Sequence, residues 1–200
     1  MLQKSNPVPK QAAITQALLR IVAERGLEEV SVREVAAGAG VSIGTVQHYF
    51  PTKDVMLAAA YQEVLRSIRA RIEAVEVGPD IRANLSAVLA ELLPLDRRRR
   101  AETRIHLAFA ARAATMPGLA AIQRAALSEL HRGLADAFAL AWAGRADRAD
   151  SQLAAHAAIA VADGLALHAA SSAGWLTRQR LRSVLELTLD VLMAIHARDG

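Results

Sequence analysis

Residues 31–53, SVREVAAGAGVSIGTVQHYFPTK, predict two short helices joined by a tight turn. Ser31 and Glu34 match the S-x-x-E capping box, in which the hydroxyl and the carboxylate each satisfy a free backbone N–H at a helix start. Gly40 supplies the left-handed conformation that ends the first of these helices. Ser42 caps the second helix, and the HYFP sequence ends it because a proline excludes its predecessor from helical geometry.

The second helix is predicted to turn Val46 inward and to present mostly polar side chains outward. Amide, hydroxyl and ring groups fit a surface that reads base edges and holds phosphates. A plain helical hairpin is the structural alternative. The glycines of this stretch do not suit a nucleotide-binding loop, because no strand precedes them. The outward residues are Ile43, Gly44, Thr45, Gln47, His48 and Tyr49.

The stretch over residues 14–57 resembles the N-terminal domain of the TetR family of bacterial transcriptional regulators. The resemblance rests on a first helix ending in AERG, on SVREVA, GVSIGT and HYFP, and on the lysine that follows. It implies a three-helix DNA-binding domain over residues 1–54, with a flexible arm at 1–9. A helical ligand-binding and dimerisation domain is implied over residues 55–200. Residues 157–175 are reminiscent of the BetI-type C-terminal class of this family.

The resemblance also implies roles for individual residues. Arg33 is expected to reach a guanine. Ile43 stands where the family commonly has lysine, and this change favours apolar contact with a thymine methyl group. The predicted DNA-binding set is Ser31, His48, Tyr49 and Lys53 for phosphates, Arg33, Thr45, Gln47 and Ile43 for bases, and Ser42 and Gly44 at the helix start.

Composition favours an all-α fold. Hydrophobic residues make up 53% of the 200 but aromatic residues only 4%, so the apolar content is mostly alanine, leucine and valine. No stretch alternates apolar and polar residues for long enough to predict a strand. No apolar run approaches the roughly 20 residues that cross a bilayer, and no signal-peptide core opens the chain, so a cytoplasmic protein is expected. The absence of cysteine excludes disulfides and thiolate metal sites.

Charge does not identify the DNA-binding domain. The net charge is +4, and within residues 1–54 six basic residues face five acidic ones. The basic run at 97–100 opens a predicted helix, where the dipole disfavours cations, so it needs anions nearby. A solvated run that includes Glu102 and a phosphate contact are both open interpretations.

Apolar residues at helical spacing predict the remaining helices. The first ends at Gly26, and a long helix after Thr52 runs to about Val77. The others are predicted at about 80–93, 97–115, 118–143, 150–172 and 177–197, separated by Pro94, Pro117, Gly144 and Gly174.

The last two helices are predicted to form a dimer interface. One carries an apolar stripe, and alanines on the other allow a backbone to approach closely. Two such helices from each of two subunits would build a four-helix interface, although ordinary core packing is the alternative. The predicted interface residues are Val161, Leu165, Leu181, Leu185, Leu192 and Ile195.

No cofactor or metal site is predicted, because the histidines are scattered and no pair shows i, i+4 spacing beside a glutamate. His156 and Asp163 lie two turns apart, so a buried hydrogen-bonded pair at a helix interface is expected. A hydrophobic effector pocket is also predicted, although each of its candidates is on its own more typical of a core position. These candidates are Tyr61, His106, Phe109, Met116, Phe138 and Trp142.

The predicted function is that of a homodimeric repressor that binds double-stranded DNA at a pseudo-palindromic operator. A small, largely apolar effector is expected to release it. One alternative is a DNA-organising dimer that needs no effector. The other is an all-α enzyme, although the chain contains no nucleophile elbow, P-loop or H-E-x-x-H motif.

Overall fold

The computed structural model describes residues 9–143, 145, 147–172 and 174–195. These residues form nine α-helices and no strand, so the all-α prediction is confirmed. The predicted arm up to residue 8, the break at Gly144 and the helix end at 197 lie outside the described residues. The helices are α1 (Lys10–Arg25), α2 (Val32–Ala39), α3 (Ile43–Tyr49), α4 (Lys53–Glu73), α5 (Ile81–Ala90), α6 (Arg97–Ala113), α7 (Pro117–Ala141), α8 (Arg148–Ser171) and α9 (Arg178–Ala194).

Side chains cap the starts of most described helices. Ser31, Ser42 and Thr52 accept hydrogen bonds from backbone N–H groups at the starts of α2, α3 and α4, as their sequence positions predict. The second half of the predicted capping box is wrong. The Glu34 carboxylate binds the Arg25 guanidinium at 2.7 Å, because the end of α1 offers it a full positive charge.

Helices α1 to α4 pack around a first hydrophobic cluster that includes the buried Val35 and Val46. Gly40 ends α2 at φ 67°, the left-handed conformation that its sequence position predicts. Gly38 lets α1 approach α2, since an added Cβ would lie 3.4 Å from the Ala17 side chain. The cluster does not end with these helices: it continues into α6 and the start of α7 through Ile105, Phe109, Ala113 and Leu119.

A second hydrophobic cluster lies among α5, the C-terminal half of α7, α8 and α9. Leucines of α9 meet alanines of α8 there, and Leu189, Ala155, Ala158 and Ala162 are all fully buried. These small side chains let neighbouring helices approach α8 closely.

Helix α4 ends at Glu73, four residues before the predicted Val77. The segment that follows is fixed by Asn84, whose side-chain amide binds both the N–H and the carbonyl of Gly78, each at 2.8 Å. The Asn84 side chain thus satisfies backbone groups of Gly78, which lies outside a helix and has no helical hydrogen bonds.

Helix α8 corrects one expectation from the sequence. Among the described residues, it alone is long and apolar enough to cross a membrane by length and composition, with a mean hydropathy of 1.4 over 18 residues. Core helices of globular proteins pass the same test, and 39% of this window is buried inside the fold. The hydropathy comes largely from the alanines that pack in the second cluster.

A half-buried ionic network joins α4, α5 and α6. Arg71 of α4 donates to Glu91 at 3.0 Å and to Glu102 of α6. Arg99 donates to the other oxygen of Glu91 at 2.8 Å. The side chains of these four residues are only 17–22% exposed, so solvent screens the pairs weakly.

The basic run at 97–100 takes part in this network, so neither open interpretation describes it fully. Arg99 binds Asp96, and Arg98 binds Glu102 at 3.1 Å. Hydrogen bonds from the backbone and side chain of Arg99 lower the pKa of Asp96. The anions that the run requires are therefore supplied by the protein itself.

We predict that Arg71→Ala destabilises the fold by about 2–4 kcal/mol, somewhat less than the loss of a partner from a fully buried pair. Glu91 and Glu102 would then share a half-buried site without their common cation. The control Arg66→Ala removes a surface pair with Glu63 and should cost under about 1 kcal/mol. Urea unfolding followed by circular dichroism measures both, and equal losses would contradict a stabilising role for the network.

Candidate functional site

The ten residues predicted to contact DNA project from the α2–turn–α3 unit and the first turn of α4. Nine of them are exposed, and Thr45 is half-buried. The side chains of Ile43 and Tyr49 are 45% and 37% exposed, which leaves apolar surface open on the second helix of the unit. The unit therefore presents a mixed polar and apolar outer face.

Hydrogen bonds fix some of these side chains and leave others open. The Ser42 hydroxyl accepts from the Thr45 backbone at 3.0 Å and lies 2.9 Å from the Thr45 hydroxyl. By contrast, Arg33, Gln47 and Lys53 make no hydrogen bond or ion pair with the described part of the chain. Their side chains are therefore available to an external partner.

Two rings lie side by side at the end of α3. His48 and Tyr49 pack edge to face, with centroids 5.3 Å apart. This contact restricts both rings at the surface, so that they present their polar atoms in a narrow range of directions. Pre-positioned polar atoms suit contact with phosphate oxygens.

A cavity of about 920 Å³ lies among α4, α5, α6, α7 and α8. Most of its wall is apolar, with Leu65 and Ile68 from α4, Val88 from α5 and Leu130 from α7. It reaches the surface, since its rim includes Leu140, which is 67% exposed. Its size and lining suit a small organic molecule.

The predicted effector-pocket residues are mostly elsewhere, and of the six only His106 lines this cavity. Phe109 and Met116 pack in the first cluster, and Phe138 and Trp142 are buried in the second. Tyr61 is fully buried beside the cavity wall, its ring centroid 5.9 Å from that of His106. Large aromatic rings fill the places where helices meet, so composition alone overestimated their share of the pocket wall.

Three buried polar atoms near this wall lack hydrogen-bond partners: the Tyr61 hydroxyl, His106 Nδ1 and Gln123 Oε1. His106 and Gln123 line the cavity, and Tyr61 lies behind His106. Burial raises the pKa of Tyr61 and lowers that of His106, so both side chains are neutral at pH 7. Sequence patterns did not indicate Gln123, because no local motif marks it.

Asp163 of α8 also lines the cavity. Its side chain is accessible, yet the surrounding protein desolvates the carboxylate and raises its pKa, while His131 opposes that rise. The expected pair with His156 is wrong. His156 instead packs against His131 of α7, with ring centroids 4.1 Å apart and the rings tilted by 36°, and its Nδ1–H donates to the Gln152 carbonyl.

The predicted interface residues divide between two faces. Leu165, Leu181, Leu185 and Leu192 are buried in the chain's own second cluster, so their assignment to the dimer interface is wrong and the alternative of ordinary core packing holds for them. Helix α9 carries apolar residues on both sides, and the sequence stripe selected the inner one. Val161 is half-buried, whereas Ile195 is 54% exposed. The exposed apolar residues of α9 are Val184, Leu187, Val191 and Ile195, and those of α8 include Leu153 and Leu167.

Two family profiles match the chain. The profile described as bacterial regulatory proteins, tetR family, matches residues 14–60. The profile of the C-terminal region of BetI-type transcriptional repressors matches residues 81–194. Together they span the α2–α3 unit, the start of α4 and the whole of helices α5 to α8.

Curated relatives and solved structures agree with these profiles. The chain is 30% identical to the HTH-type transcriptional regulator BetI of Burkholderia cenocepacia, over 92% of this chain and 94% of the relative. It is 28% identical to the HTH-type transcriptional regulator PksA of Bacillus subtilis, over 88% and 86%. A transcriptional regulator from Rhodococcus sp. superposes with a TM-score of 0.87 at 38% identity, over 93% and 97% of the two chains.

We predict that Asp163→Asn raises the melting temperature of the ligand-free protein at pH 7.5 by about 1–2 °C. Solvent reaches the exposed carboxylate and reduces the effect to well under about 1 kcal/mol, and 1 kcal/mol corresponds to about 2–4 °C at this size. A carboxyl group with a raised pKa in the folded state stabilises that state only at acid pH, and the contribution is lost as pH rises through the raised value. The difference between the two proteins should therefore shrink towards pH 4.

Differential scanning calorimetry across this pH range measures the effect. Asp136→Asn is the matched control, because Asp136 is an exposed carboxylate of α7 outside the cavity wall. A lower melting temperature for Asp163→Asn at pH 7.5 would mean that the carboxylate is stabilised in the folded chain, contrary to this account.

Proposed function

Because the chain belongs to the TetR family and is a DNA-binding transcriptional regulator, we propose that it acts as a homodimeric, ligand-responsive repressor. In this proposal the α2–α3 units of two subunits bind a pseudo-palindromic operator. A small, largely apolar effector enters the cavity and releases the DNA. The protein acts in the cytoplasm, where the bacterial chromosome is.

The proposed DNA contacts are made by the outer face of the α2–α3 unit and the start of α4, where Arg33, Gln47 and Lys53 have no partner in the described part of the chain. Arg33 reads a guanine, and Thr45 and Gln47 on α3 contact further bases. Ser31, His48, Tyr49 and Lys53 hold phosphates on either side of the groove, and Ser42 and Gly44 lie where the start of α3 meets the DNA. Ile43, exposed at that same helix start, contacts a thymine methyl group.

The observation that carries the ligand-responsive part is the double role of α4. Its first half, including Met56, Leu57 and Tyr61, is buried in the first cluster with the DNA-binding helices. Its second half, including Leu65 and Ile68, lines the cavity. An occupant that displaces the second half would therefore reorient the first half and the attached α2–α3 unit.

A change in the separation of two recognition helices is sufficient to release DNA. Two such helices must enter successive major grooves, whose spacing is fixed by the roughly 10–10.5 bp repeat. The effector then acts by favouring the conformation that does not dock, and DNA and effector oppose each other's binding by the same factor.

The dimer is proposed to form through the outer faces of α8 and α9. The exposed residues Val184, Leu187, Val191 and Ile195 follow one another at spacings of three and four, so they share one helical face. Leu153 and Leu167 of α8 add further exposed apolar surface. Contiguous apolar surface of this kind marks association sites in soluble proteins.

The two alternative functions, an all-α enzyme and an effector-independent DNA-organising dimer, have less support than the ligand-responsive repressor. The enzyme alternative is excluded, since the matched family and the relatives are transcriptional regulators. An effector-independent DNA-organising dimer would not require a largely apolar cavity bounded by the helix that leads to the DNA-binding unit. The cavity therefore favours the ligand-responsive repressor.

We predict that Arg33→Ala costs about 1–3 kcal/mol of operator binding and relaxes selectivity at one base position. Lys53→Ala should weaken binding to all sequences alike and reduce the slope of log affinity against log salt by about one. Fluorescence anisotropy on an operator recovered by selection from random DNA, compared with scrambled DNA, measures both. Uniform weakening by Arg33→Ala would make Arg33 a phosphate contact instead.

We predict that Leu187→Glu produces a monomer with its helical content intact, because it places a carboxylate in the proposed interface without touching the core. Operator binding should fall much further than binding to scrambled DNA. Val77→Glu is the control, since Val77 is 73% exposed in the linker between α4 and α5. Sedimentation at micromolar concentration measures the assembly, and a wild-type monomer would overturn the dimer proposal.

A further inference from the structure

The cavity wall contains two kinds of polar group. Each charged residue of the ionic network, Arg71, Glu91, Arg99 and Glu102, binds at least one other member. A second set makes no hydrogen bond within the described ranges: the Tyr61 hydroxyl, His106 Nδ1, Gln123 Oε1 and the Asp163 carboxylate. Asp163 makes no ion pair there either, although His131 lies near enough to act on it electrostatically. Buried polar groups are almost always paired in folded proteins, so the three buried atoms of this set indicate a missing partner. The Asp163 carboxylate is exposed and adds a negative charge to the same cavity wall.

The unpartnered groups belong to one region. Tyr61 lies against His106, which lines the cavity together with Gln123 and Asp163. Asp163 is close enough to Tyr61 for its negative charge to help raise the pKa of the phenol. A single molecule bound in the cavity can therefore contact several of them.

Acceptors outnumber donors in this set. A carboxylate and an amide oxygen only accept hydrogen bonds, and a neutral imidazole offers one accepting nitrogen. Tyr61 contributes one O–H. The matching ligand group must therefore carry several N–H donors and a positive charge. A carboxylate ligand would be repelled, an alcohol brings one donor, and a quaternary ammonium ion brings charge without any N–H.

The rest of the cavity determines the remainder of the ligand. About 920 Å³ is far more than an ammonium group fills, and the wall away from the polar groups is formed by side chains such as Leu65, Ile68, Val88 and Leu130. Burial of apolar carbon against them contributes roughly 25 cal/mol per Å². The cavity therefore suits one polar head on an apolar body.

We propose that the effector is a lipophilic primary or secondary amine whose protonated nitrogen binds the Asp163 carboxylate, with Gln123 and His106 accepting further N–H bonds. This inference rests on the proposed function and names the ligand class of its cavity. The surrounding protein desolvates the Asp163 carboxylate and disfavours its charged form when the cavity is empty. A bound ammonium group would supply a counter-ion, so the same residue favours ligand binding.

Isothermal titration of the full-length protein at pH 7.5 tests the proposal with four ligands of equal chain length. These are hexylamine, hexyltrimethylammonium, 1-hexanol and hexanoate. Hexylamine should bind about ten- to a hundredfold more tightly than the quaternary ion or the alcohol, as expected for charge-assisted hydrogen bonds. Hexanoate should not bind detectably.

Three variants locate the binding site. Asp163→Asn should remove the preference for the amine over the alcohol. Glu129→Gln, which changes a carboxylate of the same cavity wall that is already paired with Arg69, should preserve it. Gly133→Leu should weaken all ligands, because Gly133 lines the cavity and its added side chain would enter open space.

The proposal is overturned if the quaternary ion or the alcohol binds as tightly as the amine, if hexylamine fails to bind, or if its affinity survives both Asp163→Asn and Gly133→Leu. A parallel mobility shift with the selected operator separates this proposal from the function. Amine binding without DNA release would support the proposed ligand class and contradict the ligand-responsive repressor. DNA release by hexanol without a preference for the amine would support the ligand-responsive repressor and contradict the proposed ligand class.

Discussion

The stack of Tyr61 on Phe109 joins the two parts of this molecule. The ring centroids lie 5.0 Å apart, the ring planes are 14° from parallel, and both side chains are fully buried. Tyr61 belongs to the helix that follows the DNA-binding unit, and Phe109 belongs to a helix of the cavity wall. Because interiors are close-packed, neither ring can shift without displacing the other. The position of α4 is thus tied to that of α6, and motion of the cavity wall is transmitted to the first cluster through contact rather than through a flexible linker.

The parts of the fold that depend on neighbouring residues could be predicted from the sequence. Ser31, Ser42 and Thr52 each cap the helix that their position indicates, and Gly40 ends α2 in the predicted conformation. These interactions span three or four residues, so a pattern in the sequence describes them fully. The helical unit that carries the DNA-binding prediction is built from such interactions.

The parts that depend on distant residues could not be predicted in the same way. Glu34 binds Arg25 of the preceding helix, and Asp163 has His131 rather than His156 near it, because helix packing decides which charges meet. Helix α9 carries apolar residues on two opposite sides, and the sequence does not say which side faces the core. The pocket was misjudged for a related reason. A cavity forms where the packing of helices leaves space between side chains. A list of large apolar residues does not show where that space lies.

The continuity of the first cluster across α4, α6 and the start of α7 has a consequence for how such proteins are dissected and recombined. A fragment ending near residue 54 would leave out Tyr61, Phe109 and Leu119, and would expose the apolar surface that they cover. The DNA-binding unit therefore shares its core with the rest of the chain and cannot be transferred to another protein by itself. Chimeric regulators built from this chain should exchange the segment together with α4 and the facing parts of α6 and α7. The same contiguity restricts evolution. Substitutions on the exposed face of α3 can change the operator preference, whereas a DNA-binding unit taken from another protein would lack the matching residues of α4, α6 and α7 that complete its core.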